Sequence, residues 1–568
     1  MKLFDRFKIE SAGSALLFIW VLIASVVPNV WLSFTEPLTL VQALANVLLP
    51  LGIYILLMSL SPKIGRTSLW MIFIMFFAAF QMVLLYMYGR SVIAVDMFLN
   101  VATTNPGEVG ELLGNMLPII AAVVIIYLTP IVMAIIGVVR KWRLTHNGIL
   151  RFRRIGYYVL CAGIVIFGLC FAMPQPYSPL LQLYPLNVFN NVGIAVDRTL
   201  KLANYKATSA PFTYSAHSER PDTVPEIYVA VIGETSRADN WQLLGYGRRT
   251  TPALMSRSGL VAFNKALSQS NTTHKSVPLL LSPLTASDFG DSIYITKSFI
   301  TAFKEAGFHT AFISNQKRNH SFIDFFGEEA DTCMFIRDGR SADLPVCYDT
   351  ELLGYLDTMM KEGHRKLLVV LHTYGSHFNY IDRYPASEAF FKPDGPAEAI
   401  SRYRREQINA YDNTVLLTSN LLASIIDRLD KDGVKSAMIY TSDHGEDIFD
   451  DERCLFLHAS PCPSYYQIHV PFIVWMSPSL LADDPLLLQA ALKNSGKRVS
   501  SSSSYFHTLM QLAAIASPRV DASQSVVDMS YNPSEASYLN DHNKKVNLRE
   551  AGLLDEDFRK LDSLLNKH

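Results

Sequence analysis

Asp443 and His444 stand side by side at the end of an apolar run, Ala437-Met-Ile-Tyr440, with Gly445 behind them to turn the chain away. A carboxylate oxygen next to an imidazole at a strand's end can hold a borderline divalent metal. Alone, such a pair is more often a turn with solvated side chains. Three further apolar runs also end in polar residues. Ile227–Ile232 leads into Gly233-Glu234-Thr235-Ser236-Arg237, and Thr310–Ile313 leads into Ser314-Asn315-Gln316-Lys317. Lys366–Leu371 leads into His372-Thr-Tyr-Gly-Ser-His377. Glu234, Asp443 and His444 together would offer two carboxylates and an imidazole, which suits zinc or manganese better than calcium or magnesium. A catalytic zinc site keeps one position for a nucleophile or substrate. Thr273, within Asn271-Thr-Thr-His-Lys-Ser-Val-Pro278, supplies a hydroxyl that could lose its proton there and attack phosphorus. The alternative is a Ser/Thr-rich loop that caps the next helix.

The elements that must position these groups are legible after Glu226. Apolar strands alternate with helical stretches near Ser298–Ala306, Thr350–Glu362 and Ser401–Asp430. That is the pattern of an α/β domain with a mostly parallel sheet. In open α/β sheets ligands gather beyond the carboxyl ends of strands, so four distant segments would converge on one site. The polar run Asn409–Thr414 reads as packing against the sheet, and Ser500–Ser504 as a loop.

The chain has 568 residues, a formal net charge of −1 and a mean hydropathy of +0.19. Its positive hydropathy comes from the first third. Five uncharged apolar runs lie at Ala12–Phe34, Leu38–Pro62, Thr67–Tyr88, Leu112–Val139 and Ile155–Ala172. Each is near the length that spans a bilayer core, so an N-terminal bundle of five transmembrane helices is expected. The first follows Lys2, Arg6 and Lys8 and has no small-residue cleavage site, which reads as an uncleaved anchor. Lys63 and Arg66 follow the second run, and Arg140, Lys141, Arg143, Arg151, Arg153 and Arg154 separate the fourth from the fifth. The positive-inside rule then puts the N-terminus in the cytoplasm and everything after about Ala172 outside. Three regions result: 1–172 in the membrane, 173–225 as an amphipathic bridge on its surface, and 226–568 as the outer catalytic domain.

Cys161 and Cys170 fall in the last run and read as packing residues. The other four form close pairs, Cys333 with Cys347 and Cys454 with Cys462, as expected of two disulfides in an oxidising compartment, with free thiols the alternative. Between the third and fourth runs, Asn100, Thr104 and Glu108 recur at i, i+4 spacing in a loop broken by Asn105-Pro106-Gly107. That loop reads either as a solvated interfacial segment or as a polar clamp for a lipid headgroup.

These residues resemble the phosphoethanolamine transferases of bacterial inner membranes, within the alkaline phosphatase–sulfatase superfamily. The resemblance rests on Gly233-Glu-Thr-Ser-Arg-Ala-Asp239, Thr273 five residues before Pro278, Ser376-His377, Ser442-Asp-His-Gly-Glu446 and Leu457-His458. It implies an N-terminal five-helix membrane bundle followed by a sulfatase-like α/β/α domain. It implies zinc, as one ion or two, on Glu234, Thr273, Asp443 and His444, with Thr273 also the nucleophile. His377 and His458 resemble the pair that grips the transferred phosphate or a second zinc, and His320 stands where the family carries a lysine phosphate contact. Asn100, Thr104 and Glu108 match residues that hold the lipid donor's headgroup. The chain departs from the lipid A enzymes in having His274-Lys275 after the nucleophile, fewer cysteines, and the pair Cys454–Cys462.

The expected reaction moves phosphoethanolamine from phosphatidylethanolamine to lipopolysaccharide, at lipid A or core, through a phosphothreonine. The expected partners are that donor, that acceptor and membrane lipids, with no nucleic acid and a monomeric chain. A sulfatase would need a cysteine or serine in a C/S-x-P-x-R setting, which the Thr273 neighbourhood lacks. A glycerophosphate transferase of the lipoteichoic acid synthase type also uses a threonine on a metal and is the alternative enzyme. A transporter would carry ionisable residues inside its spans, and a non-enzymatic sensor would have no use for a threonine, two carboxylates and three histidines at strand ends.

Overall fold

The computed structural model describes residues 12–103, 117–338, 346–396 and 401–565. The chain divides into two compact units, and the division falls between Asp197 and Arg198, inside the 173–225 stretch.

Among the described residues of the first unit, four helices are long and apolar enough to cross a membrane, or five if one bent pair counts as a single span. They are Ala12–Thr35, Leu40–Met58, the pair Ile64–Trp70 and Ile72–Tyr88 bent by 54°, Ile119–Val139, and His146–Cys170. Large side chains such as Phe34, Phe73 and Val139 point outward, as expected where lipid rather than water is the solvent. Thr39 opens the second helix with a capping box: its hydroxyl accepts from Gln42 N while Gln42 Oε1 accepts from Thr39 N. Asparagine side chains tie segments of the unit together. Asn29 Nδ2 donates to the carbonyls of Asn46 and Tyr184, both at 2.7 Å, and Tyr184 N donates to Asn46 Oδ1 at 3.0 Å.

Leu40–Met58 and His146–Cys170 pack through glycine. A Cβ at Gly52 would lie 2.6 Å from Leu160 N, and one at Gly163 would lie 2.8 Å from Leu49 Cα. Only hydrogen fits at these crossings, the small-residue packing of membrane helices.

The fifth helix corrects the sequence expectation. It begins at His146, not Ile155, so Arg151, Arg153 and Arg154 lie within it and not in a loop. Arg153 Nε and Nη2 donate to the carbonyls of Ser59 and Leu60, at 3.0 and 2.9 Å, where the second helix leaves its last carbonyls without intrahelical partners. The charged residues did not mark the helix start.

The second unit holds a seven-stranded sheet. Its strands are β1 (Glu226–Gly233), β2 (Leu260–Phe263), β3 (His309–Ser314), β4 (Thr332–Phe335), β5 (Lys366–His372), β6 (Lys435–Ser442) and β7 (Phe472–Met476). The spatial order is β2-β7-β6-β1-β5-β3-β4. Strands β6 to β4 are parallel, and β7 runs antiparallel to both its neighbours. Every residue of β1 and β5 is buried, which is why those strands read as continuous apolar runs rather than alternating ones. The four strands expected from sequence occupy adjacent places, β6-β1-β5-β3.

Ser500–Ser504 is not a loop. Ser501–Leu512 is a helix whose four leading serines are all buried. Their small side chains take the place alanine would take, so polarity of composition misled where size decided. The two expected disulfides are not formed either. Cys454 lies in an exposed turn at φ +49°, whereas the Cys462 side chain lies against Gly552. Cys333 sits in β4, where burial pushes its thiol up to about 11.

Glu329 ties several loops of this unit together. Its Oε2 accepts from Ser298 N, Ser298 Oγ and Thr301 Oγ1, and its Oε1 from Tyr205. Burial outweighs these donors and raises its carboxyl to about 7. The unfolded chain, near 4.5, releases that proton first, so the folded state loses stability as pH rises from about 4.5 to 7 and levels off above. Thermal unfolding of the parent and Glu329→Gln across that range should show a pH-dependent difference between them that vanishes below about 4.5.

Candidate metal centre and active site

The carboxyl ends of β1, β3, β5 and β6 supply the groups. Glu234 follows β1, and its fully buried carboxylate accepts from Thr235 Oγ1 at 2.7 Å and from Gln316 Nε2 at 3.1 Å. Gln316, just past β3, also donates to Thr373 O beyond β5, so one amide links three strand ends. Asp443 and His444 follow β6. Asp443 Oδ1 accepts from Thr235 N and from His444 N, at 3.1 and 2.7 Å, and its Oδ2 lies 3.3 Å from His444 Nε2.

Thr273 is the first residue of the helix Thr273–Leu281. Its Oγ1 lies 3.3 and 3.4 Å from the two Glu234 oxygens and 3.2 Å from His444 Nε2. Glu234, His444 and His458 each offer a ligand atom within 4.8 Å of the others. The structure thus brings together Glu234, Thr273, Asp443, His444 and His458. His377 borders them, with its ring 5.7 Å from that of His458. His320 is not brought in: it is exposed at φ +58°, and its backbone N–H is held by Asp324. Asn100 lies in the helix Val95–Thr103, while Thr104 and Glu108 lie outside the described residues.

The backbone fixes two imidazole tautomers. His444 Nδ1 lies 3.0 Å from Gly445 O and His377 Nδ1 2.7 Å from Phe378 O. A carbonyl only accepts, so both rings carry their proton on Nδ1 and turn the Nε2 lone pair elsewhere. This is how a metal-ligating histidine is usually held. Burial, with His458 and Arg383 adding to it, keeps His377 well below its usual range and hence neutral. Burial pushes His458 down to about 3. Burial and the neighbouring Asp443 raise Glu234, and burial raises Asp443. Burial disfavours a charged His444, but Asp443 and Glu234 outweigh it and raise its proton affinity. Two buried carboxylates around an imidazole, with a proton standing in for a cation, are the electrostatics of a metal site.

Three positioning residues escaped the sequence reading: Thr235, Gln316 and Glu446. Thr235 adopts φ +59°, rare for a β-branched residue, and contacts both carboxylates from that position. Buried Glu446 lies 3.1 Å from His458 Nδ1. All three lie in strand-end or motif runs legible in the sequence, but nothing there marked their individual roles. Tyr411, in the helix Arg404–Asp432, donates to Thr235 O and accepts from Arg237 N, so the Asn409–Thr414 run does brace the strand ends.

Gly375 is required by this geometry. Its φ is +51°, and a Cβ would lie 2.5 Å from Glu234 O. Gly375→Ala should cost about 2 kcal/mol or more of stability, from the left-handed backbone and the displaced Glu234. Thermal unfolding, compared with Gly363→Ala, separates the two causes, because nothing lies near a Cβ at Gly363.

A mostly parallel sheet brings a Glu/Asp/His/Thr cluster together at its strand ends, and the sulfatase family model matches residues 226–515. The chain belongs to the sulfatase family. Among curated relatives it is similar to the Kdo(2)-lipid A phosphoethanolamine 7''-transferase of Escherichia coli K12. The two are 32% identical over 288 residues, covering 49% of this chain and 48% of that protein. The chain spans about half the length of the curated relatives it matches. Among solved structures, the integral membrane lipooligosaccharide phosphoethanolamine transferase A of Neisseria meningitidis aligns with 90% of this chain and 98% of its own. The TM-score is 0.71 at 22% identity, which shows a shared fold. The periplasmic domain of EptC from Escherichia coli, solved in complex with Zn, aligns with 61% of this chain and 98% of its own, with a TM-score of 0.55 at 24% identity.

Proposed function

We propose that this chain is a zinc-dependent phosphoethanolamine transferase of a bacterial inner membrane. In this reading residues 1–172 lie in the bilayer, 173–225 rest on its outer surface and 226–568 work in the periplasm. The donor is phosphatidylethanolamine and the acceptor lipopolysaccharide. The observation that carries the reading is Thr273 Oγ1, held within 3.4 Å of both Glu234 and His444 at the strand ends.

The donor set fits zinc: carboxylates from Glu234 and Asp443, and an imidazole lone pair from His444. A bound zinc would supply Lewis acidity, neutralising charge on the transferring group and lowering the pKa of a hydroxyl beside it. Glu234 and His444 orient Thr273 Oγ1. This oxygen forms a bond to phosphorus while the bond from phosphorus to the diacylglycerol oxygen breaks, and that oxygen takes up a proton as it leaves. The acceptor oxygen then attacks the phosphothreonine, the Thr273 O–P bond breaks, and the hydroxyl is restored. Two displacements at one centre give ping-pong kinetics. His377 and His458 stand where a second ion or the transferred phosphate would bind. The His377 tautomer, with its lone pair on Nε2, favours the ion.

The test is the purified full chain with phosphatidylethanolamine vesicles and lipopolysaccharide, read by mass spectrometry. Diacylglycerol release together with acceptor carrying phosphoethanolamine is the expected result. Glycerophosphate on the acceptor, or no turnover with zinc present, would overturn it.

A further inference from the structure

Asn271 lies two residues before Thr273, and Leu457 and Ala459 flank His458. Amide groups stitch these two segments together. Asn271 O accepts from Ala459 N at 3.2 Å, and Asn271 Nδ2 donates to Ser460 O at 2.8 Å. Gln467, in the short helix Tyr465–Ile468, reaches between them. Its Oε1 accepts from Asn271 Nδ2 at 2.6 Å, while its Nε2 donates to Leu457 O at 3.3 Å and to Asp447 Oδ2 at 2.7 Å. Tyr538 donates to Asn271 Oδ1 at 2.5 Å, and Asp447 Oδ1 accepts from Ser464 Oγ at 2.6 Å.

The bonds run one way, from the Tyr538 hydroxyl through the Asn271 and Gln467 amides to the Asp447 carboxylate, and all four side chains are buried. A buried polar chain of this kind holds its members in one arrangement. The segment it holds would not keep its shape unaided. Leu457 adopts φ +68° and Ala459 φ +60°. Each left-handed residue other than glycine costs about 1–2 kcal/mol, and such strain persists only where the surroundings enforce it. The enforced turn sets the His458 ring 4.3 Å from that of His444, with its ligand atom in the Glu234/His444 group.

The bland account is a loop filled with polar side chains that satisfy one another. It does not explain why the bonds from Asn271 and Gln467 fall on Leu457 O, Ala459 N and Ser460 O, the backbone on either side of His458. We propose that Asn271 and Gln467 are positioning residues of the transfer reaction. They gauge the separation between Thr273 and His458, so that the nucleophile and the imidazole at the phosphate or second-ion position keep one geometry through both displacements. Both act through Thr273 and His458 rather than on substrate. The proposal rests on the transferase reading.

The experiment compares the full chain in detergent with Gln467→Met and Gln467→Glu. Methionine keeps the volume and removes the bonds. Its kcat should fall about 10–100-fold, as when an outer partner of a site is lost, with the KM for phosphatidylethanolamine unchanged. A protonated glutamate offers one donor and one acceptor, as the amide does toward Asp447 and Asn271, whereas an ionised one sets a carboxylate against Asp447. Burial, with Asp450 adding to it and Arg453 opposing, already raises the Asp447 carboxyl to about 7, and a second carboxyl beside it holds a shared proton more tightly. Relative to the parent, the kcat of Gln467→Glu should therefore be close to parental at about pH 6 and fall to the methionine level by about pH 9. Loop filling alone gives no such rescue. Hydrogen exchange supplies a readout independent of turnover: amides of residues 456–460 should exchange faster in Gln467→Met, with those of the sheet unchanged. A parental kcat in Gln467→Met, or parental exchange in that segment, overturns the proposal. A parent that releases no diacylglycerol overturns the transferase reading instead, and the exchange measurement still decides whether the amides hold the loop. Should the Gln467 variants unfold, Asn271→Asp repeats the pH test from the other amide, since only its protonated form donates to Gln467 Oε1.

Discussion

Thr273→Ala is expected to remove the proposed phosphoethanolamine transfer while leaving the chain folded. The hydroxyl lies within 3.4 Å of both Glu234 and His444, whereas the Thr235 and Ser276 hydroxyls reach a carboxylate of the cluster, Glu234 and Asp443 respectively. Loss of a nucleophile that acts as a unit with its neighbours costs on the order of 10⁴-fold or more in kcat. The structural cost is small. Thr273 is the half-buried first residue of its helix, and alanine is the best helix former, so stability should change by less than about 1 kcal/mol. The measurement is single-turnover diacylglycerol release by parent, Thr273→Ala and Thr273→Ser. Serine keeps the oxygen and should keep turnover, and it should trap phosphoethanolamine on residue 273 when acceptor is withheld. Turnover by Thr273→Ala at the parental rate would remove Thr273 from the chemistry.

The second large effect is expected at Glu234. Glu234→Gln keeps the shape and removes one charge. Gln316 Nε2 and Thr235 Oγ1 both donate to this carboxylate, so an amide there also turns a donor toward donors. Losing even an outer partner of a metal site costs 10–100-fold in affinity or activity, and losing a proposed ligand should cost at least about 100-fold. The metal-free protein should tolerate the change. Two buried carboxylates destabilise each other, and neutralising one relieves that repulsion. The expected pattern is therefore a melting temperature equal to or above the parent's without zinc, and a smaller rise when zinc is added. An unchanged rise with zinc would separate Glu234 from metal binding.

The sheet was legible because its middle strands are buried on both faces and so read as unbroken apolar runs. Strands β2, β4 and β7 were missed; all are short, and Thr332-Cys-Met-Phe335 is only partly buried, so it carries no strong pattern. The cluster could be read where residue type itself is informative, as with Asp443-His444 or Glu234 after an apolar run. Thr235 and Gln316 could not be read that way. Their roles depend on a left-handed backbone and on a reach across two strand ends, which no spacing encodes. His320 shows the reverse error: its residue type suited the site, but its side chain is exposed and lies outside the cluster.

The glycine notches between Leu40–Met58 and His146–Cys170 have a mechanical consequence. Sliding either helix by one turn would bring Leu48 or Leu56 to the spot where Leu160 leaves room for hydrogen alone. The two rods are thereby keyed to a single register and travel as one rigid piece. Bending within that unit then concentrates at the break beside Met71, where the backbone already changes direction by 54°.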